Sequence, residues 1–222
     1  MQNCFTERDI LTDMDAKTYR VKTLPADTAT AAIDWSAIPA ADVAHYAWCE
    51  GYTPAVTAQL VYVAGDRFVL RMRCLESNPR ATYTAYMENV YEDSCMEFFA
   101  DWLGDGRYIN MEMNANGTLL SCIGPDKFTR TPVAEFTNGV IFPVTADVQA
   151  DAWSVVADVP LSLLARILGV EKLDVASGFA FRGNFYKCGD ATDIPHFGMW
   201  NPVELPSPNF HCPAFFGNIV VD

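Results

Sequence analysis

The feature that most constrains the fold is a series of short segments in which apolar and polar residues alternate. Turn residues separate these segments. Alternation with a period of two indicates half-buried strands, and a Gly-Asp turn between two such segments indicates a hairpin. Two hairpins are predicted, one from residues 58–63 and 68–74 and one from residues 94–100 and 108–114. Further strands are predicted at residues 119–123, 139–144, 153–159, 178–188 and 217–221. The sequence therefore predicts an all-β protein, an antiparallel β-sandwich of jelly-roll type.

One short helix interrupts the strand pattern. Pro160 stands where a helix can begin, an apolar stripe follows, and Gly169 can end it. Residues 193–214 contain five prolines, which predicts a long ordered loop because proline cannot donate to a central strand. Residues 1–31 lack regular alternation and are predicted to be irregular. With 222 residues, half of them hydrophobic, residues 1–222 are predicted to form a single domain.

Charge and cysteine content restrict the partners. The net charge of −13 repels phosphate groups, which argues against nucleic acid and anionic membranes but leaves neutral sugars open. No apolar run approaches the ~20 residues that span a bilayer. A signal peptide has a basic segment followed by an apolar one, and the first residues do not show this pattern. We therefore expect a cytoplasmic protein with reduced thiols. The seven cysteines form no C-x-x-C pair, so a structural zinc motif is not indicated.

Alternation also predicts which residues share a strand face. Residues Ile109, Met111 and Met113 form an apolar face, and Asn110 and Glu112 point the opposite way. The same parity separates Met96 and Phe98 from Glu97, and Phe179, Phe181 and Phe185 from Arg182, Asn184 and Tyr186. A carboxylate among apolar neighbours needs a partner, so we predict that Arg182 pairs with Glu97 or Glu112. Carboxylate, amide, guanidinium and aromatic groups on such faces suit a sugar, although solvated polar faces are also common.

Several segments of the sequence, in the order in which they occur, together form a specific pattern. Residues 90–99 have an aromatic residue, acids, a serine and a Glu-Phe-Phe ending, and residues 108–117 form a strand and turn. Residues 181–190 and 195–200 follow, and then residues 209–211. The combination resembles family 9 carbohydrate-binding modules and their DOMON-like relatives over residues 32–222. The resemblance implies a sandwich of two antiparallel sheets that binds sugar chain ends between two aromatic rings, with calcium in some members.

Site residues follow in part from this resemblance. It implies that Tyr91 and Trp200 hold the sugar ring and that Glu97 is the acid on the same face as Tyr91. Trp48 and Trp200, both in loop-like surroundings, are the tryptophans best placed for stacking. The candidate ligand-binding residues are Tyr91, Glu97, Asn110, Glu112, Arg182, Asn184 and Trp200.

Other functions remain open at this stage. Glu97 and Glu112 on adjacent strands could form the carboxyl pair of a glycoside hydrolase. A protein-interaction domain that has lost sugar binding is a further alternative, and haem binding lacks a histidine beside Met111 or Met113. Calcium is possible in oxygen-rich turns such as residues 101–105 and 147–151, without an EF-hand spacing. The sequence contains no recognisable catalytic motif, so we expect a non-catalytic carbohydrate-binding protein.

Overall fold

The structure, a computed structural model, describes residues 16–222 of the chain. The first strands are β1 (Thr18–Leu24), β2 (Ala41–Asp42), β3 (His45–Tyr46), β4 (Val56–Val63), β5 (Arg67–Cys74), β6 (Cys95–Asp101) and β7 (Tyr108–Asn114). Those that follow are β8 (Leu119–Gly124), β9 (Thr131–Pro132), β10 (Val144–Val148), β11 (Trp153–Pro160), β12 (Ala180–Cys188), β13 (Phe197–Met199) and β14 (Gly217–Val221). Two α-helices are present as well, α1 (Val133–Phe136) and α2 (Leu161–Leu168). The protein is therefore mostly β.

The strands form one curled sheet in the order β10-β11-β5-β4-β1-β14-β12-β6-β7-β8-β9, with β2, β3 and β13 paired at its margins. Strand β1 joins two halves of this sheet. Its first residues pair parallel with β14, and its last residues pair parallel with β4. We call β14-β12-β6-β7-β8-β9 the site half and β4-β5-β11-β10 the back half. The other pairings along the path are antiparallel, so the sheet is mixed.

The two halves pack against each other across one apolar core. The ring of Phe68 on β5 lies 5.0 Å from the ring of Trp102, which follows β6, measured between centroids. Trp102 in turn stacks on Phe181 of β12 at 4.2 Å. Buried residues that meet in this core are Phe98, Met111 and Phe185 from the site half and Leu60, Leu70 and Val155 from the back half. Burying such side chains contributes roughly 1.5–3 kcal/mol each.

Most of the predicted elements are confirmed. Both hairpins form, and α2 ends at Gly169, whose φ of +74° suits glycine. The apolar face of β7, Ile109 with Met111 and Met113, lies in the core as predicted. The proline-rich segment is mainly irregular, and only the three residues of β13 within it join the sheet. No helix within residues 16–222 has the length and apolar character needed to cross a membrane.

Four structural predictions need correction. The sheet is mixed rather than antiparallel, because β1 runs parallel to both of its neighbours. Residues 18–24 of the predicted irregular segment form β1, in which Tyr19 and Val21 point into the core; the rest of that prediction up to residue 15 lies outside the described residues. The strand predicted at 139–144 begins only at Val144. A second, shorter helix, α1, accompanies the predicted one.

A buried polar cluster links the two halves at one end of the core. Lys187 on β12 is fully buried, on the same strand face as Phe185. Its Nζ atom lies 2.9 Å from the Ser94 hydroxyl, 2.6 Å from Nε2 of His196 and 3.8 Å from the Glu76 carboxylate. Glu76 also accepts a hydrogen bond of 2.8 Å from the indole N–H of Trp153 on β11. The ammonium group is thus neutralised and hydrogen-bonded, as a buried charge must be.

Candidate functional site

A cavity of about 320 Å³ opens on the site half, and we call it the site cavity. Its floor comes from three neighbouring strands, with Glu97 on β6, Glu112 on β7 and Cys188 on β12. Glu97 and Glu112 are directly opposite each other across the β6–β7 pairing. The alternation that sends Met96 and Phe98 into the core sends Glu97 to this opposite face. Two acids and a thiol therefore meet at the bottom of the cavity.

Loops supply the walls of the site cavity. Tyr91 comes from a 3-10 turn, Val90–Glu92, Asp190 is the second residue after the end of β12, and Phe197 begins β13. The remaining lining residues belong to the loop between β8 and β9 and to the proline-rich loop. They are Lys127, Phe128, Arg130, Pro208, Asn209, Phe210 and His211. The walls therefore combine aromatic rings with charged and amide groups.

The β8–β9 loop is held in a tight turn that places an aromatic ring at the rim. One carboxylate oxygen of Asp126 accepts the backbone N–H groups of Phe128 at 2.7 Å and Thr129 at 2.8 Å. The loop closes so tightly that a Cβ atom added to Gly124 would lie 2.4 Å from the Thr129 carbonyl oxygen, so only glycine fits there. The ring of Phe128 is 83% exposed, whereas Arg130 extends towards the floor. Such an exposed ring is available for contact with a ligand.

Glu112 is fixed by two neighbours. Its Oε1 atom lies 3.3 Å from a guanidinium nitrogen of Arg130 and accepts a hydrogen bond of 3.0 Å from the side-chain amide of Asn110. Burial nevertheless raises the pKa of Glu112 to about 7, and this effect outweighs the lowering by Arg130. Glu112 is therefore partly protonated near neutral pH, so that it can donate as well as accept hydrogen bonds.

The surroundings of Glu97 also favour its protonated form. Burial and the neighbouring Glu112 carboxyl raise the pKa of Glu97 well above its usual value, because two buried like charges repel each other. The Cys188 thiol donates a hydrogen bond of 2.8 Å to Oε1 of Glu97. Burial, and to a lesser degree Glu92, raises the pKa of Asp190 to about 6. The floor thus offers carboxyl groups that can donate and accept.

His211 is a neutral ring in the wall. Its Nδ1 atom shares a hydrogen bond of 2.8 Å with the Tyr108 hydroxyl, and its ring lies 4.8 Å from that of Phe99. Burial lowers the pKa of His211 to about 3, and Arg130 and Lys127 add to the effect. His211 therefore stays uncharged at neutral pH and offers hydrogen bonds without a charge.

Trp48 is half-buried and supports the proline-rich loop. Its indole N–H donates a hydrogen bond of 2.6 Å to the Leu205 carbonyl oxygen. Its ring contacts those of Phe197 and Phe210 at centroid distances of 6.1 and 6.0 Å. Both phenylalanines line the site cavity, so Trp48, which the sequence marked for stacking, holds the lining residues in place.

The raised pKa of Glu112 leads to a prediction for stability. The pKa of Glu112 is 4.5 in the unfolded chain and about 7 in the folded protein. As the pH rises, the unfolded chain therefore releases this proton first. The contribution of neutral Glu112 is therefore complete below pH 4.5 and is lost as the pH rises through about 7. We expect wild-type stability to fall across this interval relative to Glu112→Gln, whose side chain cannot ionise.

Urea unfolding between pH 4.5 and 8 measures this difference. The matched control is Glu50→Gln, which removes an exposed carboxylate that does not line the site cavity. Equal slopes for the wild type and Glu112→Gln would show that Glu112 ionises normally in the fold.

The structure brings together some of the sequence-predicted site residues. Tyr91, Glu97 and Glu112 line the site cavity. Asn110 is fully buried beside it and reaches the site only through its hydrogen bond to Glu112. The sequence analysis missed Phe128, Arg130 and the other wall residues, because they lie in loops without a periodic pattern.

The predicted pairing of Arg182 with Glu97 or Glu112 is wrong. Arg182 lies opposite Asp101 on β6, four residues along the strand from Glu97, which corresponds to roughly 13 Å. Its guanidinium group donates a hydrogen bond of 2.7 Å to the Phe216 carbonyl oxygen instead. The strand parity was right, but parity does not determine register. Arg130 takes the position that Arg182 was expected to fill.

Asn184 and Trp200 also lie away from the site cavity. Asn184 is fully buried and exchanges hydrogen bonds of 2.8 and 2.9 Å with the backbone of Asn201. Trp200 is only 5% exposed and packs edge-on against Tyr19 and Phe185, with centroids 6.5 and 5.6 Å away. Its backbone N–H donates to the Phe185 carbonyl oxygen, so the loop stays attached to β12 and the indole enters the core. The prediction that Trp200 is free to stack on a sugar is wrong.

The turns considered for calcium use their carboxylates internally. Both oxygens of Asp101 accept backbone N–H groups, from Gly104 at 2.8 Å and from Gly106 at 3.1 Å. Asp105 is paired with Arg107 at 2.6 Å, and Asp147 accepts from the amide of Gln149. The carboxylate oxygens named here are therefore used by contacts within the turns themselves. Calcium binding stays a prediction without a located site.

Similarity to known proteins identifies the family of this chain. The chain matches carbohydrate-binding family 9 over residues 27–221. A protein from Bacteroides uniformis ATCC 8492, provisionally described as carbohydrate-binding, has a similar structure with 29% sequence identity and a TM-score of 0.80, covering 93% of this chain and all of that one. Among curated proteins, none matches the chain at a significant level.

Two solved structures of a family 9 carbohydrate-binding module from Caldicellulosiruptor kristjanssonii share the fold. One contains glucose, with a TM-score of 0.66, 11% identity and coverage of 93% of this chain and 96% of that one. The other contains cellotriose, with a TM-score of 0.65, 11% identity and coverage of 92% and 93%. Since the family match extends over most of the chain, this protein belongs to carbohydrate-binding family 9.

Proposed function

We propose that the site cavity binds a sugar, or the end of a sugar chain, without cleaving it. The observation that carries this proposal is the convergence of an exposed ring and planar hydrogen-bonding groups on one cavity. Phe128 stands at the rim, Glu97 and Glu112 form the floor, and Arg130 and Asn209 reach in from the loops. Sugar hydroxyls need donors and acceptors together, and the C–H face of the ring needs an aromatic surface.

The size of the site agrees with a small ligand. A volume of about 320 Å³ lies at the lower end of the roughly 300–1,000 Å³ of small-molecule sites. It suits one or two sugar rings, and hence a chain end, better than the middle of a long polysaccharide. The family membership and the glucose and cellotriose bound by the Caldicellulosiruptor module support the same class of ligand.

Glycoside hydrolysis is the second candidate, because the floor contains two acids with raised pKa values. Directly opposite residues on adjacent strands have Cβ atoms about 4.5–5.5 Å apart, close to the carboxyl spacing of retaining glycosidases. Hydrolysis requires the two acids to flank the scissile bond, however. Glu97 and Glu112 approach from the same sheet face, so they are placed to hold hydroxyls on one side of a ring.

Phe128 gives the sharpest test of the proposal. A sugar ring stacked on it gains about 1–2 kcal/mol from apolar area and ring contact. We therefore expect Phe128→Ala to weaken binding of glucose or cellotriose roughly tenfold. The melting temperature should hardly change, because the ring is 83% exposed. Isothermal titration calorimetry and thermal unfolding measure the two effects.

The matched control is Phe136→Ala. Phe136 is 42% exposed on α1 and does not line the site cavity, so its removal should leave affinity unchanged. The same sugars are then incubated with wild-type protein and analysed for cleavage products. Product release that disappears in both Glu97→Gln and Glu112→Gln would establish a hydrolase. Failure of the wild type to bind any sugar in a broad panel would favour an interaction domain instead.

A further inference from the structure

Two cysteines and an acid that are distant in sequence meet at the floor of the site cavity. Cys95 on β6 and Cys188 on β12 are directly opposite each other in the antiparallel pairing. Glu97 follows Cys95 by two residues and therefore lies on the same strand face. The two sulfur atoms and a carboxylate oxygen of Glu97 all lie within 4.8 Å of one another. All three side chains are buried.

This arrangement is close to the geometry of a metal site. Zinc–ligand bonds of about 2.0–2.3 Å at tetrahedral angles place ligand atoms roughly 3.5–3.8 Å apart. Distances of up to 4.8 Å would have to shorten by roughly 1 Å, and the 2.8 Å between Sγ of Cys188 and Oε1 of Glu97 would have to lengthen by less than that, which side-chain rotation on a fixed pair of strands can supply. Thiolates favour thiophilic ions such as Zn²⁺ over Ca²⁺ or Mg²⁺. The donor set therefore selects a metal class different from the calcium considered for the turns.

We propose that Cys95, Glu97 and Cys188 form a binding site for a thiophilic divalent metal ion of the zinc class, with its fourth coordination position open to the site cavity. Cys188 and Glu97 line that cavity, which gives the ion a path from solvent and room for a water molecule as fourth ligand. Cys95 is fully buried and closes the inner side. Structural zinc sites are closed by four protein ligands, whereas this site would keep one position open.

The groups around the cluster can accommodate a cation once the ligands have lost their protons. Glu112 and Asp190 face the cluster as further carboxyl groups, whereas Arg130 and Lys187 are the cations that act on it. Burial raises the pKa of Cys95 to about 11 and that of Cys188 well above the usual thiol value. Since the ion binds thiolates and a carboxylate, it must displace the protons of both thiols and of Glu97, and its affinity should rise with pH.

The test uses the reduced full chain, Cd²⁺ and Co²⁺ as spectroscopic probes, and Zn²⁺ in competition with a chelator. We expect one equivalent to bind, with the ultraviolet absorbance of thiolate-to-metal charge transfer and release of about two to three protons per ion at pH 7. Cys95→Ser and Cys188→Ser should each lose at least about half of the absorbance and weaken affinity more than about 100-fold, since residues that merely orient a ligand are worth 10–100-fold. Cys122→Ser removes a buried thiol outside the cluster and should bind like the wild type.

Two results would overturn the proposal. One is wild-type affinity no tighter than that of the double variant Cys95→Ser/Cys188→Ser, which would assign any binding to other thiols such as Cys49. The other is binding without proton release, a readout on the wild type that does not depend on whether the variants fold. The metal site does not rest on sugar binding. Sugar titration of chelator-treated protein tests the proposed function separately.

Discussion

Replacing Trp200 with alanine is expected to destabilise the protein by about 3–5 kcal/mol, the range seen when large aromatic residues are removed from cores. The indole fills space between Tyr19 and Phe185, and Gly217 leaves room for it: a Cβ atom there would lie 2.5 Å from the indole ring. Alanine would leave a cavity, and the loop cannot move in to fill it because its backbone is hydrogen-bonded to β12. Urea unfolding measures the loss, and affinity for sugar in the folded fraction should be unchanged.

Two further variants show whether the effect of Trp200→Ala comes from core packing or from sugar binding. Trp200→Phe keeps part of the ring and should lose less stability than Trp200→Ala. Phe128→Ala removes an exposed ring and should show the opposite behaviour, with normal stability and weakened sugar binding. A small stability loss with a tenfold loss of affinity for Trp200→Ala would return Trp200 to the binding site.

Replacing Lys187 with methionine should cost about 3–5 kcal/mol, because removal of one partner from a buried ion pair leaves the other charge uncompensated. Lys187 contributes most to lowering the pKa of Glu76, against the effect of burial. Without the ammonium group, Glu76 must take up a proton or stay charged in an unfavourable site. Chemical denaturation at pH 7 measures the change in free energy of unfolding.

A double-mutant cycle separates the ion pair from packing. Glu76→Gln removes the orphaned charge, so Lys187→Met/Glu76→Gln should be less destabilised than the sum of the single variants, by roughly 1–3 kcal/mol. The control is Lys172→Met, which breaks an exposed ion pair of 2.8 Å with Asp174 and should change stability by less than about 0.5 kcal/mol. Additive effects of Lys187→Met and Glu76→Gln would show that the two groups do not interact energetically.

The strand faces could be predicted because they depend on a local rule. Each side chain follows from its neighbours by alternation, and so Met111 was correctly placed in the core and Glu112 on the opposite face. Hairpins between consecutive strands are also local. The direction of β1 was not predictable in this way, because its partner β14 lies almost a whole chain length away.

The site required information that alternation does not contain. Arg182 and Arg130 could each pair with a buried acid. Which of them reaches Glu112 depends on the register of β12 and on the path of the β8–β9 loop. An apolar residue inside a polar turn, as Phe128 is in Asp126-Lys127-Phe128-Thr129, is the one signal that could have indicated a binding loop. Lysine on the apolar face of β12 could likewise have indicated the cluster around Lys187.

The position of β1 also affects the order in which the protein can assemble. Thr18 pairs with Asn218, which the ribosome adds 200 residues later. At roughly 5–20 residues per second, β1 waits about 10–40 s for this neighbour, while β4 is available much earlier. Until then, one edge of β1 has unpaired backbone groups that could pair with another chain. Completion of the sheet is therefore a late, long-range step, which favours slow folding and exposes the nascent chain to aggregation.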